Sequence, residues 1–159
     1  MTIVPHLGKS LYNTHMNDPN DPRYKALKKI LDEILDLKTS PLYAYRKENG
    51  YHPVIGQGNH HAKIMFIGEA PGENEAKTGK PFCGPSGRIL DELLASISLK
   101  REDVYVTNIV KDRPPKNRDP LPQEIALYTP FLHRQIEIIQ PDCIATLGRY
   151  SMTHIMNSY

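Results

Sequence analysis

The chain has 159 residues, which at roughly 100–200 residues per domain predicts a single domain. Apolar residues make up 39% and charged residues 24%, a composition typical of a globular protein and not of a disordered one. The formal net charge of +2 is too small to establish a nucleic-acid partner, and no apolar run approaches the roughly 18 residues that would span a membrane.

The first residues show no secretory signal. The two cysteines, Cys83 and Cys143, form neither a disulfide framework nor a metal-binding pair. We expect both to be small buried hydrophobes, because no His–Asp pattern nearby supports the alternative of a catalytic thiol. Together these features predict a cytoplasmic protein that does not associate with a membrane.

Residues 1–21 are polar and aperiodic, which predicts an N-terminal arm followed by one domain over 22–159. Asp21 is suited to cap a helix, and Pro22 is suited to its first position. Apolar residues at helical spacing then predict an amphipathic helix over 22–38. Residues 39–61 contain several glycines and prolines and are expected to form a loop.

Three continuous apolar runs over 63–68, 104–110 and 143–148 are typical of strands buried on both faces. A helix with an apolar face of Ile89, Leu90, Leu93, Leu94 and Ile97 follows the first run. A long helix over 125–139, bent at Pro130, follows the second, and a last helix begins near Arg149. This alternation predicts a three-layer α/β/α fold with a parallel central sheet. In such sheets ligands bind beyond the carboxyl ends of the strands, so the loops that follow the strands are the informative ones.

The loop after the first strand begins Gly68-Glu-Ala-Pro-Gly72. Gly68 and Gly72 give it conformational freedom and Pro71 stiffens it, so successive amides could hold an anion or a carbonyl oxygen. Glu69 and Glu75 add carboxylates. An ordinary turn with solvated acids is an equally good interpretation, and the spacing does not match a P-loop.

Two further side chains suit a flat ligand. Phe82 lies in a Gly/Pro-rich loop, where an aromatic ring serves either as a stacking platform or as a plug over the core. Asn108 lies near the end of an apolar strand, where its amide must be satisfied by the core or by a ligand. Asn offers the donor and the acceptor that recognition of a nucleobase edge requires.

The segment from Lys111 to Arg118 contains four basic residues, and its prolines keep it extended. Such a segment could contact phosphates, although a solvated basic loop is equally compatible with the pattern.

Taken together, these motifs resemble those of the family 4 uracil-DNA glycosylases. The resemblance covers roughly residues 35–157, and the complete series in this order is highly specific. It includes Gly68-Glu-Ala-Pro-Gly72, Glu75, Gly79-Lys-Pro-Phe82, Gly84, Gly87-Arg-Ile-Leu-Asp91, Thr107-Asn-Ile-Val-Lys111, Arg113-Pro-Pro-Lys-Asn-Arg118, Glu124-Ile125, Pro130-Phe-Leu132 and Leu147-Gly148.

The resemblance implies a four-stranded parallel sheet between helices, a monomer, and excision of uracil from DNA. Phe82 would stack on the flipped base, Asn108 would bind its N3–H and O4, and Glu75 or Glu69 would position water. The carbonyl edge of the base would be bound by the backbone of Glu69, Ala70, Pro71 and Gly72, and phosphates would be held by Arg113, Lys116, Asn117 and Arg118.

The family usually carries an iron–sulfur cluster on four cysteines, and here those positions hold Leu37, Ser40, Asp112 and Tyr128. None of these residues supplies a thiolate, so we expect no cluster and no other cofactor or metal. Packing by Leu37 and Tyr128 is expected to replace it.

The family also ends with a further strand and a His-Pro motif. This sequence stops at Tyr159, and its one His-Pro pair, His52-Pro53, precedes the first predicted strand. We therefore expect either a fragment of a longer protein or a shortened relative that lacks the last strand. The alternatives to an enzyme are a non-catalytic DNA-binding module of the same fold and the N-terminal part of a larger replication or repair protein. The least favoured alternative is an enzyme that acts on a small molecule and binds its phosphate group with the loop after the first strand.

Overall fold

The computed structural model describes residues 18–158. The expected polar arm over 1–21 therefore lies almost wholly outside the described residues, and so does Tyr159.

The described part of the chain contains six α-helices and four β-strands. The helices are α1 (Pro22–Leu35), α2 (Tyr43–Glu48), α3 (Glu73–Thr78), α4 (Pro85–Ser96), α5 (Pro122–Ile139) and α6 (Arg149–Ser158). The strands are β1 (Gln57–Gly58), β2 (Ile64–Gly68), β3 (Tyr105–Asn108) and β4 (Cys143–Thr146).

The four strands form one sheet in the order β1-β3-β2-β4. Strand β2 runs parallel to both β3 and β4, as predicted, whereas the two-residue β1 pairs antiparallel with β3. Strand β1 lies in the segment predicted to be a loop, which also contains the short helix α2. The register pairs Gly68 with Asn108, so the carboxyl ends of the central strands β2 and β3 lie side by side.

Helices cover both faces of the sheet, because successive side chains of a strand point to opposite faces. On one face, Met65 and Ile67 of β2 pack with residues of α1 and α5. On the other face, Phe66 of β2 packs with Leu90 and Leu94 of α4. This arrangement confirms the predicted α/β fold with helices on both sides of the sheet.

The start of α1 agrees with the sequence, and its end does not. The Asp21 carboxylate accepts a hydrogen bond from the Arg23 amide, as expected of an N-cap. The helix ends at Leu35, not at residue 38. Its last carbonyls, those of Ile34 and Leu35, accept hydrogen bonds from the Arg46 guanidinium at 3.1 and 2.8 Å, and a distant arginine cannot be recognised as a helix cap from local sequence.

The prediction that both cysteines are buried was wrong, and the apolar face after β2 is buried only in part. Leu90 and Leu94 of α4 are buried, whereas Ile89 and Leu93 of α4 and Ile97, which follows its end, are 58–63% exposed. Cys83 and Cys143 are free and exposed. Cys143 begins β4, and this strand is less buried than β2 because it lies at the edge of the sheet.

Within residues 18–158, no helix is both long and apolar enough to cross a membrane. The same residues contain no cluster of three or more His, Cys, Asp or Glu side chains that could bind a metal ion.

Candidate active site

A cleft of about 490 Å³ opens beyond the carboxyl ends of β2 and β3. This volume lies within the roughly 300–1,000 Å³ typical of small-ligand sites. Its lining includes both predicted catalytic glutamates and every predicted base-binding residue: Glu69, Ala70, Pro71, Gly72, Glu75, Phe82 and Asn108. His52 of the His-Pro pair is not among the lining residues.

Gly68 brings the two base-recognition side chains together. A methyl group placed on its Cα would lie 2.3 Å from the Asn108 side-chain oxygen and 2.6 Å from the tip of the Phe82 ring. Both side chains therefore lie directly against the last residue of β2, which has to be glycine for them to do so.

The Asn108 side chain lies at the wall of the cleft. Asn108 is only 2% exposed, yet its amide makes no hydrogen bond to any residue in the described part of the chain. An Asn side chain carries a donor NH₂ and an acceptor oxygen, and no described residue occupies either group of Asn108. An unpaired amide at the wall of a cleft is therefore suited to bind a ligand.

Phe82 is held in a costly backbone conformation. Its φ is +50°, which in a non-glycine residue costs of order 1–3 kcal/mol and is tolerated only where the surroundings enforce it. Arg101 donates hydrogen bonds to the carbonyls of Pro81 and Phe82 at 2.9 and 3.0 Å, and its guanidinium lies 5.9 Å from the Phe82 ring centre. Gly87 allows the Phe82 carbonyl to approach α4 closely.

Hydrogen bonds between β2 and β3 continue into the two loops. The amides of Ile109 and Val110 donate to the carbonyls of Gly68 and Glu69, both at 3.0 Å. These bonds fix the loop after β2 relative to Asn108. Within residues 18–158, the backbone N–H of Ala70 has no hydrogen-bond acceptor, so it is available to a ligand.

The two glutamates occupy different positions in the cleft. One oxygen of Glu75 accepts a hydrogen bond from the Gly84 amide at 3.2 Å, and the other oxygen faces Gly72. Glu69 accepts a hydrogen bond from the Tyr150 amide at 2.9 Å, at the N-terminal end of α6. A carboxylate at that position is stabilised by the helix dipole, so Glu69 also anchors α6 to the cleft.

Most of the basic side chains of the 111–118 segment bind other groups of the protein and do not point freely into solvent. Arg113 is buried and donates to Tyr51 at 2.6 Å, to Asn117 at 2.7 Å and to Glu73 at 3.2 Å. Lys111 is fully buried, so the prediction of an exposed basic stripe does not hold for its side chain.

At the other end of the segment, Arg118 makes a two-pronged ion pair with the buried carboxylate of Glu124 at 2.9 and 2.6 Å. Lys116 is exposed and forms no ion pair with any described residue. Asn117 and Arg118 line the cleft, whereas Arg113 and Lys116 do not.

The four positions that hold the cluster cysteines in the family 4 glycosylases are close together in this fold. Three of them, Ser40, Asp112 and Tyr128, belong to one hydrogen-bonded network. The Tyr128 hydroxyl donates to Asp112 at 2.6 Å and lies 2.9 Å from the Ser40 hydroxyl. The Arg46 guanidinium pairs with the same Asp112 carboxylate at 3.0 Å, and both side chains are buried. Leu37 packs against the cluster that contains Tyr128. These residues contain no thiolate and do not fit an iron–sulfur cluster.

Three contributors to this region were not predicted from the sequence: Arg101, which supports Phe82; Arg46, which pairs with Asp112; and Tyr150, which binds Glu69. Each acts on a residue at least 19 positions away along the chain. No local pattern marks such a residue. The one clue in the sequence was that a polar side chain such as Asp112, placed in an apolar region, needs a partner that its neighbours do not provide.

The family model described as the uracil DNA glycosylase superfamily matches residues 55–158, which include the cleft. The chain belongs to the uracil-DNA glycosylase superfamily. Among the similar curated proteins is the type-4 uracil-DNA glycosylase of Sulfurisphaera tokodaii, which is 46% identical over 83% of this chain and 59% of its own length. The type-4 uracil-DNA glycosylase of Saccharolobus solfataricus is 50% identical over 79% of this chain and 57% of its own length.

A DNA polymerase of Bacillus phage SP01 is also similar to this uracil-DNA glycosylase superfamily member. The two are 37% identical over 67% of this chain, which corresponds to 12% of the polymerase. The chain spans somewhat less than three fifths of the length of the two type-4 relatives named above.

Proposed function

We propose that this superfamily member excises uracil from DNA after the nucleotide has been flipped out of the base stack. The main support is the nearly buried, unpaired Asn108 amide, which lies beside the Phe82 ring in a cleft large enough for a base. The similarity to type-4 uracil-DNA glycosylases over most of the chain supports the same function.

Asn108 would provide the selectivity for uracil. Its carbonyl accepts from the N3–H of uracil and its NH₂ donates to O4, whereas cytosine presents the reversed pattern at these two atoms. With cytosine in the cleft, donor would face donor and acceptor would face acceptor. Sites built on such hydrogen bonds reject mismatched analogues by on the order of 10⁴-fold or more.

The reaction is a hydrolysis that needs no redox partner. The C1′–N1 bond breaks with its electron pair on the base, water adds its oxygen to C1′, and a proton from that water ends on the base. Backbone donors of the Glu69–Gly72 loop, including the N–H of Ala70, would stabilise the charge on the base, typically by about 3–4 kcal/mol per donor. Glu75 or Glu69 would position the water and favour the cationic sugar.

DNA would be held by the segment after β3. We propose that Lys116 and Asn117, which are exposed, contact the phosphates directly. Arg113 and Arg118 would also lie near the phosphates. Their ion pairs with Glu73 and Glu124 would hold the segment in the conformation that binds DNA. Binding should therefore depend on salt with a small slope, because few phosphates are neutralised.

We further propose that the protein carries no iron–sulfur cluster and that the Arg46–Asp112–Tyr128–Ser40 network stabilises the region instead. Purified protein should lack stoichiometric iron and visible absorption, and a brown protein with four irons per chain would refute this. Replacing Arg46 with Met should cost about 3–5 kcal/mol in the free energy of unfolding, because the Asp112 carboxylate would remain buried without its partner.

Excision on a labelled single-stranded oligonucleotide tests the proposed function. The protein is incubated with oligonucleotides that carry one uracil, cytosine or thymine at the same position, and abasic sites are revealed by alkaline cleavage. Cleavage at uracil alone is expected. Equal cleavage of all three, or none in the uracil substrate, would contradict the proposal.

A DNA-binding module without catalytic activity is the second candidate. The similarity to part of a phage DNA polymerase favours it, because there the similar segment belongs to a much larger protein. Salt-sensitive binding to all three oligonucleotides without excision would support this candidate.

The described cysteines are both free, which suits a reducing compartment. We propose a cytoplasmic monomer, and light scattering of the purified chain at several concentrations would reveal any larger assembly.

A further inference from the structure

A fully buried lysine lies next to the proposed base pocket. The Lys111 side chain is 0% exposed, and its Nζ donates to the backbone carbonyl of Asn108 at 2.5 Å. It also donates to the Thr107 hydroxyl at 2.9 Å and to the Gln135 side-chain oxygen at 2.5 Å. One hydrogen bond thus separates Lys111 from the residue proposed to recognise uracil.

The three partners of Lys111 are all acceptors. The Thr107 hydroxyl uses its proton on the Ile55 carbonyl, and the Gln135 NH₂ donates to that carbonyl at 2.8 Å, so both residues present lone pairs to Nζ. An ammonium has three N–H groups to match three acceptors. A neutral amine has two, so its own lone pair would face one of the acceptors.

The charge of Lys111 is not neutralised by a carboxylate. No acidic side chain of residues 18–158 forms an ion pair with it, and the neighbouring Asp112 is paired with Arg46. Burial lowers the pKa of Lys111 well below its ordinary value. The geometry favours the charged form, because three acceptors surround Nζ and hydrogen bonds to a charged form stabilise it. A cation in such surroundings is costly to maintain and is only weakly screened by solvent.

We infer that Lys111 is a positioning residue that fixes Asn108 and uses its positive charge, through the Asn108 peptide, to stabilise the departing base. This role rests on the proposed glycosylase activity. The base gains an electron pair as the C1′–N1 bond breaks, and a nearby fixed cation in a dry setting lowers the energy of that state. The same charge has little effect on neutral bound uracil, so it acts on kcat more than on KM.

Two matched variants separate charge from structure. Lys111→Met removes the amine together with its three hydrogen bonds, whereas Gln135→Met removes one of those bonds and leaves the lysine and its bond to the Asn108 carbonyl in place. Each variant is assayed on DNA containing uracil and on DNA containing 5-fluorouracil, whose base leaves more readily and needs less stabilisation. Circular dichroism and the free energy of unfolding report whether each variant folds.

We expect Lys111→Met to lower kcat for uracil by about 10²-fold, and for 5-fluorouracil by at least about 10-fold less. KM should change by less than about threefold. Gln135→Met should affect both bases to the same extent. Equal losses on the two bases for Lys111→Met, or no loss at all, would overturn the role of Lys111.

If Lys111→Met does not fold, Gln135→Glu places a neutralising carboxylate against Nζ and should reproduce the base-selective loss; equal losses would again overturn the role. The wild type distinguishes this proposal from the proposed function. Wild-type excision combined with unselective variants refutes the role of Lys111 alone. If the wild type excises neither base, the proposed function fails and this role fails with it.

Discussion

Replacing Gly68 with alanine should block the base pocket while leaving the fold intact. The added methyl would lie 2.3 Å from the Asn108 side-chain oxygen and 2.6 Å from the Phe82 ring, far inside van der Waals contact. The Gly68 backbone does not have a positive φ, so alanine meets no backbone strain there. The conflict is therefore confined to the two side chains proposed to hold the base.

The sizes of the two effects follow from this geometry. Overpacking of this kind typically costs about 1–3 kcal/mol of stability. Both side chains must move by the order of 1 Å, and misplacement by that distance can cost about 10²-fold in rate. We therefore expect kcat/KM for excision to fall by at least about 10²-fold, equivalent to about 2.7 kcal/mol of transition-state stabilisation.

Gly50→Ala provides the control. Gly50 has a φ of +63° and no neighbouring atom within 4 Å of an added methyl, so its substitution strains the backbone without filling any space. Its stability loss should be similar, roughly 1–2 kcal/mol, because a non-glycine residue is disfavoured at that φ. Excision kinetics and urea unfolding are measured for both variants. Wild-type kcat/KM in a folded Gly68→Ala protein would refute the assigned pocket.

Three further outcomes are expected. Arg101→Ala should lower kcat/KM about tenfold with little change in DNA affinity, since Phe82 would leave its strained position; unchanged excision kinetics would contradict this. Burial raises the pKa of Glu124, but hydrogen bonds from Arg118 and a backbone amide outweigh burial and hold the pKa below its ordinary value. The resulting stability is present above about pH 4.3 and is lost as pH falls through the lowered pKa, so acid titration of unfolding should be shallower in Glu124→Gln. Lys116→Ala should reduce the slope of log affinity against log salt by about one, as measured by fluorescence anisotropy; an unchanged slope would argue against a phosphate contact.

The sheet and the position of the cleft could be predicted from local patterns. The apolar runs over 63–68 and 104–110 indicate parallel buried strands, and the carboxyl ends of such strands lie at the same end of the sheet. Strand β1 could not be predicted, because two residues carry no periodicity and their pairing depends on β3.

The burial of the basic side chains Lys111 and Arg113 could not be predicted, because it depends on partners that are distant in the sequence. Lys111 and Arg113 belong to one polar segment, and nothing near them in the sequence marks either as buried. Gln135 receives the Lys111 ammonium from 24 positions away, and Tyr51 binds Arg113 from 62 positions away. Such pairings exist only once the helices have packed on the sheet. The local sequence therefore shows that a side chain is charged, but not whether it points into the protein or into solvent.

Excision by Asn108→Ala, compared with the wild type, tests the central claim most directly. Single-turnover excision is measured on DNA with one uracil, and binding to the same DNA is measured in parallel. If Asn108 recognises the base, the variant should lose excision by at least about 10³-fold while DNA affinity stays within about threefold, because the phosphate contacts are retained. An Asn108→Ala protein that excises uracil as fast as the wild type would show that the base binds elsewhere.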